Sequence, residues 1–371
     1  MSLIESHTYT PQSESQLLQR FWQTASGYWH GAKAWKAWSL ICLLLTILLF
    51  QLLTQYQLNI WNRDFFNAIG RRDQQELWTQ ALRFIPLAGF SLALAILSVW
   101  GRMTTQRKWR EWLSKKLYAG WLENDHSIKL KFVPGDHTAP EFRIAEDVRV
   151  ATDLPIDLTL GFLSALLTAI TFIGVLWSVG DGLLIDIAGR KFEIPGYLVI
   201  SVVAYSTLSA GAMALIAPHL TGVIEETKRT EAELRSLGSH LRTDSEGGNK
   251  PKITVADQRT IYDALGAVID VWRKYCWQLM RMTLVSQTNT LLTPVVALLI
   301  CSPKYLAGGM TLGEVIQAAA AFVIVQGAFN WFTDSYGRIA EWAASANRVA
   351  SLMISLDYLE DNLPSMTEYG H

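Results

Sequence analysis

Apolar residues in this chain gather into six long runs, and two charged, helix-patterned segments separate some of them. The runs are Trp38 to Leu58, Phe84 to Trp100, Leu154 to Val179, Ile194 to Ala217, Leu284 to Ile300 and Leu312 to Phe332. At about 1.5 Å rise per residue, roughly 20 apolar residues cross the ~30 Å hydrocarbon core, so each run predicts a membrane-spanning helix. The third and sixth are the longest and are expected to run on as helix.

Residues 101–153 and 218–282 are too long for simple connections. Trp109, Trp112, Leu113, Leu117 and Trp121 recur at three- and four-residue spacing, while Arg107, Lys108, Lys115 and Lys116 occupy other faces, so the second span is expected to continue well past the membrane. In the later segment Glu225 precedes Arg229, and Glu231 precedes Arg235, by four residues, the orientation that supports an exposed helix. Breakers interrupt each segment once: Pro134, Gly135 and Pro140, then Gly247, Gly248, Asn249 and Pro251. Each segment therefore predicts two helices with a short element at the tip. Alternation from Leu184 to Ile194 around Gly189 predicts a small hairpin between spans three and four.

Composition agrees with a membrane protein: half of the 371 residues are hydrophobic, 18% are charged and the mean hydropathy is +0.18. The formal net charge of -1 gives no general pull toward nucleic acid, and no nucleic-acid partner is expected. The polar first thirty residues do not read as a secretory signal, so the first span is expected to stay. With the N-terminus in the cytoplasm, 25 of the 32 Lys and Arg fall on that side and 7 on the other, which predicts both termini cytoplasmic, although Arg63, Arg71 and Arg72 run against the rule. The expected layout is a cytoplasmic segment at residues 1–36, a transmembrane domain at 37–356 and a cytoplasmic tail at 357–371, with no nucleotide-binding domain. The polar tail from Asp357 to His371 reads as a natural end.

Cys42, Cys276 and Cys301 form no CxxC, and two of them lie in or beside apolar runs, which reads as small buried hydrophobes. The seven histidines show no ligand spacing, and no Ser-His-Asp or Cys-His arrangement is visible, so no metal, cofactor or catalytic residue is expected.

Local motifs go further than the layout. Asn59, Trp61 and the run Asp64-Phe65-Phe66-Asn67 follow span one; Arg143-Ile144-Ala145-Glu146-Asp147 precedes span three; Arg229-Thr230-Glu231-Ala232 with Arg235 stands in the later segment. At span six come Thr311-Leu312-Gly313, Gln317, Phe322, Gly327-Ala328-Phe329, Ser335, Glu341 and Arg348. In order and spacing these resemble the SbmA/BacA family of bacterial peptide transporters and, more distantly, the peroxisomal-type ABC half-transporters with the same membrane domain. The resemblance runs from about residue 50 to residue 350. It implies an all-α membrane protein: six transmembrane helices in the ABC exporter-type fold, with two long cytoplasmic helical extensions. It also implies a multi-pass homodimer in the bacterial inner membrane, importing a peptide or peptide-like antibiotic on the proton gradient, a secondary-type transporter rather than an enzyme.

The sequence departs from the ATPase-bearing relatives in two places. It holds no G-x-x-x-x-G-K-[ST] phosphate loop. The N-A-E-x-I-x-F-Y-G stretch of those relatives is replaced by Arg242 to Asn249 and Val255 to Arg259, closer to the ATPase-free branch.

Proton coupling requires a carboxylate raised toward neutral pH by burial or by a like charge. The candidates are Glu146, Asp147, Asp153 and Asp157 before and at span three, Asp334 and Glu341 after span six, Glu231, and Asp64 beside span one. Asp153 and Asp157 stand at an i,i+4 like-charge spacing that would raise at least one of them. Glu341 has the best motif support and Glu231 the next. Arg143, Arg229, Arg235, Gly313, Gln317, Phe329 and Arg348 complete the motif set. The bland alternative pairs these acids with Arg143, Arg149, Arg338 or Arg348 at helix ends. Two functional alternatives stay open: the membrane half of an ATP-driven transporter working with a separate ATPase subunit or domain, and a non-transporting membrane protein.

Overall fold

The computed structural model describes residues 14–31, 34–123, 126–130, 139–187, 190–246 and 255–362. The elements in chain order are α1 (Glu14–Ala25), α2 (Gly27–His30), α3 (Ala34–Arg71), α4 (Gln74–Leu122), α5 (His126–Lys129), α6 (Pro140–Phe142), a π-helical turn (Arg143–Asp147), α7 (Val148–Gly180), β1 (Gly182–Ile187), β2 (Arg190–Pro195), α8 (Tyr197–Glu246), α9 (Val255–Leu306) and α10 (Leu312–Asn362). Among the described residues, six helical segments are long and apolar enough to cross a membrane: α3, α4, the run Pro140–Gly180, the Tyr197–Ile216 part of α8, α9 and α10. The protein is an all-α membrane domain whose hydrocarbon-crossing parts are the apolar runs inside much longer helices. Two compact units divide it. One holds the described residues up to Phe172 with those from Asp334 onward, the other Ile173–Thr333.

In the first unit α3 and α4 form an antiparallel hairpin. Asp73 caps α4 by accepting from the backbone N–H of Gln75 and Glu76, each at 3.0 Å. Gly101 lets the two helices close, because a Cβ there would meet Leu44 Cδ2 at 2.9 Å. Beyond the apolar run, α4 lays Trp109, Leu113 and Leu117 into a buried core with Ile144, Val148 and Ala151 and with Val349, Leu352, Met353 and Leu356 of α10. The aromatic stripe thus lies where its spacing predicts.

The N-terminal segment is more structured than its polar composition suggests. Phe21 and Ala25 of α1 are wholly buried in this same core, Trp109 Nε1 donates to the Ala25 carbonyl at 3.2 Å, and Arg20 pairs with Asp357 of α10. Leu17, Leu18, Phe21, Trp22 and Ala25 hold a helical stripe that the polar residues between them obscure.

The second unit pairs α8 with α9. Gln278 Nε2 donates to the Ile216 carbonyl at 2.7 Å, and Lys274 pairs with Glu226 at 3.1 Å. The expected hairpin forms, with antiparallel pairing from Gly182 opposite Pro195 to Ile187 opposite Arg190. Ile194 therefore lies within a strand instead of opening a span. Pro195 disfavours helical backbone at Ile194 before it, and Gly196 takes φ +62, so the helix starts at Tyr197. Thr311 and Glu314 begin α10 with a reciprocal capping box, Thr311 N–H to Glu314 Oε2 at 2.7 Å and Glu314 N–H to Thr311 Oγ1 at 3.3 Å.

Other expectations need correction. Neither Glu225–Arg229 nor Glu231–Arg235 closes to an ion pair; all four side chains are exposed, where solvation competes with pairing. Cys42 and Cys276 are exposed and only Cys301 is buried, because an apolar run in a membrane helix can face lipid as readily as protein. The breakers Pro134, Gly135, Gly247, Gly248, Asn249 and Pro251 lie outside the described residues. Pro140 opens α6 at its first position, after Ala139 at φ +52.

Candidate functional site

The acids and arginines singled out from sequence converge, in the first unit, where the extension of α4, the start of α7 and the end of α10 meet. The π-helical turn Arg143–Asp147 makes the convergence possible. Its widened winding, with Val148 N–H bonding back to the Arg143 carbonyl, turns Arg143, Ile144 and Asp147 into the protein interior, each at most 3% exposed.

Asp147 is gripped by Arg348, whose Nε lies 2.9 and 3.0 Å from its two carboxylate oxygens and whose Nη2 lies 2.5 Å from Oδ1. The same Nη2 donates to Ser345 Oγ at 2.9 Å, and Arg143 Nη1 donates to the Arg348 carbonyl at 3.3 Å. Asp157 is the second node. It accepts from Gln106 Nε2 at 2.8 Å and Arg338 Nη2 at 2.9 Å, and Arg102 Nε lies 3.5 Å away. Gln106 also donates to the Asp153 carbonyl at 3.1 Å, and Arg110 Nη2 donates to the Ala145 carbonyl at 2.9 Å.

Glu146 and Arg149 pair on the exposed side at 2.5 Å, and this hydrogen bond holds the Glu146 carboxyl below its ordinary range. Asp153 precedes the apolar run and is half-buried; burial first of all pushes its carboxyl up, Arg110 and Arg149 oppose, and Asp157 adds a smaller upward push. The i,i+4 carboxylate repulsion is thus a minor contribution beside burial. Glu141 and Glu341 stand outside these pairs; Glu341 is exposed and within the field of Arg149.

Arginine pairing at helix ends, the bland alternative, is what Glu146, Asp147 and Asp157 form. Asp334 is exposed. Glu231, Arg229 and Arg235 lie on the solvated face of α8, in the other unit. Gly313 and Gln317 are buried and Phe329 is half-buried along α10. Asp64 lies at the far end of α3, receiving Arg63 Nε at 2.9 Å. Sequence reasoning missed Arg102, Gln106 and Arg110, although their four-residue spacing puts three polar side chains on one stripe of α4. Among the described residues no group of His, Cys, Asp and Glu could hold a metal ion.

Chemically the network offers no nucleophile. It is a set of charged crosslinks between three helix ends, half-exposed at Arg102, Arg338 and Arg348 and closed at Arg143 and Asp147, where side-chain exposure of the aspartate is 3%. Such a cluster holds one helix arrangement and can exchange partners in another.

The ABC transporter transmembrane region 2 model matches residues 30–306. Similar proteins include the inner membrane ABC transporter ATP-binding protein YddA of Escherichia coli, 26% identical over 317 residues, covering 84% of this chain and 56% of that protein. An uncharacterised ABC transporter ATP-binding protein of Synechocystis is 25% identical, covering 91% of this chain and 49% of its own. ABC transporter D family member 2, chloroplastic, of Arabidopsis thaliana is 20% identical, covering 98% and 49%. The chain spans about half the length of these curated relatives. With six spanning helices and a family match over most of its length, the chain belongs to the ABC transporter transmembrane region 2 family.

Proposed function

We propose that this chain is the membrane half of an ATP-driven transporter, acting as a dimer with ATPase domains that its residues 1–371 do not supply. The observation that carries this is the alignment of most of the chain with about half of two proteins named as ABC transporter ATP-binding proteins. Positive charge biased toward one side supports a membrane orientation with both termini in the cytoplasm. The extensions of α4, α8 and α9 beyond their apolar runs then project toward an ATPase. Nucleotide-driven movement of the α4 extension would reach the spans of its own unit through the crosslinks at Asp147 and Asp157, which join α4, α7 and α10.

Vanadate-sensitive Mg-ATP hydrolysis that stays with this chain through purification from its native membrane tests the reading. Hydrolysis should fall in Asp157→Asn, whose crosslinks to Arg102 and Arg338 are lost. Absence of any associated hydrolysis, with a stable purified chain, counts against it.

A second reading keeps the SbmA/BacA resemblance: import of peptides on the proton gradient by a homodimer in the bacterial inner membrane. The replacement at Arg242 to Asn249 and the burial of Asp153 favour it. In that case Glu341→Gln abolishes gradient-driven uptake while leaving dimerisation intact. Under the ATP-driven reading Glu341→Gln, exposed and outside the network, leaves ATP-driven transport unchanged.

A further inference from the structure

At the other end of the α3–α4 hairpin, away from the ionic network, residues of both helices line an open cavity of about 410 Å³. Pro86 lies within α4 at this point and removes the backbone bond to the carbonyl of residue 82, so the groove has a local cause in the sequence. Trp61 forms a fixed wall: its Nε1 donates to the Gln80 carbonyl at 2.8 Å, and its ring lies 5.0 Å from Phe65 and 4.7 Å from Phe84. Phe90, edge-on to Phe50 at 6.2 Å, bounds the deep end.

The lining changes character along its length. Asp64 and Arg83 stand just outside the apolar runs that end at Leu58 and begin at Phe84, whereas Leu87 and Phe90 stand inside. The cavity therefore crosses the boundary between headgroups and hydrocarbon. A water-soluble occupant would leave the deep half empty of polar partners, and a hydrocarbon would leave Arg83 at the mouth without a counter-charge, whereas Asp64 already pairs with Arg63. Only an amphiphile matches both ends.

Charge at the mouth narrows the headgroup. Arg83 is exposed and makes no ion pair among the described residues. An arginine at this depth is accommodated by an anionic oxygen, for which its forked guanidinium is suited. Beside it are acceptors. Asp64 accepts one hydrogen bond, from Arg63, and a carboxylate can take several. Gln80 is buried, its amide nitrogen donating to Glu76 at 2.6 Å, which leaves acceptor capacity on its amide oxygen. An anion for Arg83 and N–H donors for Asp64 and Gln80, joined to an acyl chain against Leu87 and Phe90, describe a phospholipid with a primary-ammonium headgroup. We propose that this cavity is a phosphatidylethanolamine site, in the outer leaflet under the topology given above. The site depends on the membrane placement of α3 and α4 and not on how transport is driven.

Native mass spectrometry of the purified full chain, loaded in turn with phosphatidylethanolamine, phosphatidylglycerol and phosphatidylcholine, tests it, with soluble phosphoethanolamine as the headgroup alone. The expected result is one tightly retained phosphatidylethanolamine per chain, retained about tenfold better than the other two lipids, and no retained phosphoethanolamine. Arg83→Gln and, separately, the cavity-filling Leu87→Trp each remove this adduct. Equal retention of all three lipids by the wild-type chain overturns the proposal, whatever the variants do. So does retention of phosphoethanolamine alone, or an adduct that survives both substitutions.

Discussion

Arg348 and Asp147, 201 residues apart, form a two-pronged ion pair in which only the arginine keeps contact with solvent: its side chain is 44% exposed and that of Asp147 3%. The asymmetry makes the two single substitutions unequal. Arg348→Met strands a buried carboxylate and is expected to lower stability by about 3–5 kcal/mol. Asp147→Leu leaves an arginine that can turn to water, so its loss is smaller. Replacing both together restores most of the stability, because an apolar pair of similar volume needs no desolvation. Denaturant melts of the three variants in one detergent check the order.

Phe21 carries the docking of the N-terminal helix. It is 0% exposed, and Phe21→Ala is expected to cost about 3–5 kcal/mol. The lost stability should be local: limited proteolysis cuts α1 first, while α3 and α4 stay protected.

Gly196 combines two constraints. Its φ is +62, and a Cβ built there lies 2.5 Å from Trp177 Cζ3. Gly196→Ala is therefore expected to destabilise by about 2 kcal/mol or more. Adding Trp177→Ala should relieve the steric part and not the backbone part, so thermal melts of the double variant recover only partly.

Tyr28, on α2, packs against Trp29 and Trp112, with ring centroids at 5.0 and 6.0 Å. Burial, and secondarily the charge of Glu111, raise its phenol above the ordinary tyrosine range. A raised folded value means that the contribution of the neutral phenol is fully present below the unfolded pKa of about 10 and is lost as the pH rises through the folded value. Wild type should therefore lose stability at alkaline pH relative to Tyr28→Phe. Parallel melts of the two from pH 8 to pH 11 check this; curves that stay parallel contradict it.

What the sequence disclosed depended on the range of each interaction. The stripe Trp109, Leu113, Leu117 is written at helical spacing, so its burial was readable. The hairpin was readable too, because alternation and turn chemistry are local. Its boundary with span four was not, since Ile194 is equally apolar in a strand or a helix and only Gly196 at positive φ separates them. The helix α1 was hidden because its stripe of Leu17, Phe21 and Ala25 is diluted by polar neighbours, and its burial depends on residues of α4 and α10 far along the chain. At the site, the acids and their candidate arginines were visible as types. That Asp147 takes Arg348 while Asp157 takes Arg338 and Arg102 follows from the π-helical turn and the helix packing, which no local spacing specifies. Exposed pairs such as Glu231 and Arg235 had the favourable spacing without the desolvation that would fix them.

The central claim is that transport is driven by ATP through domains joined to this membrane half. Proteoliposomes containing only this chain, given a labelled cationic peptide and an inward proton gradient without nucleotide, test it most directly, followed by the same vesicles with the co-purifying ATPase and Mg-ATP. The account predicts no protonophore-sensitive uptake in the first case and vanadate-sensitive transport in the second. Gradient-driven uptake by the chain alone, collapsing with a protonophore, would contradict it.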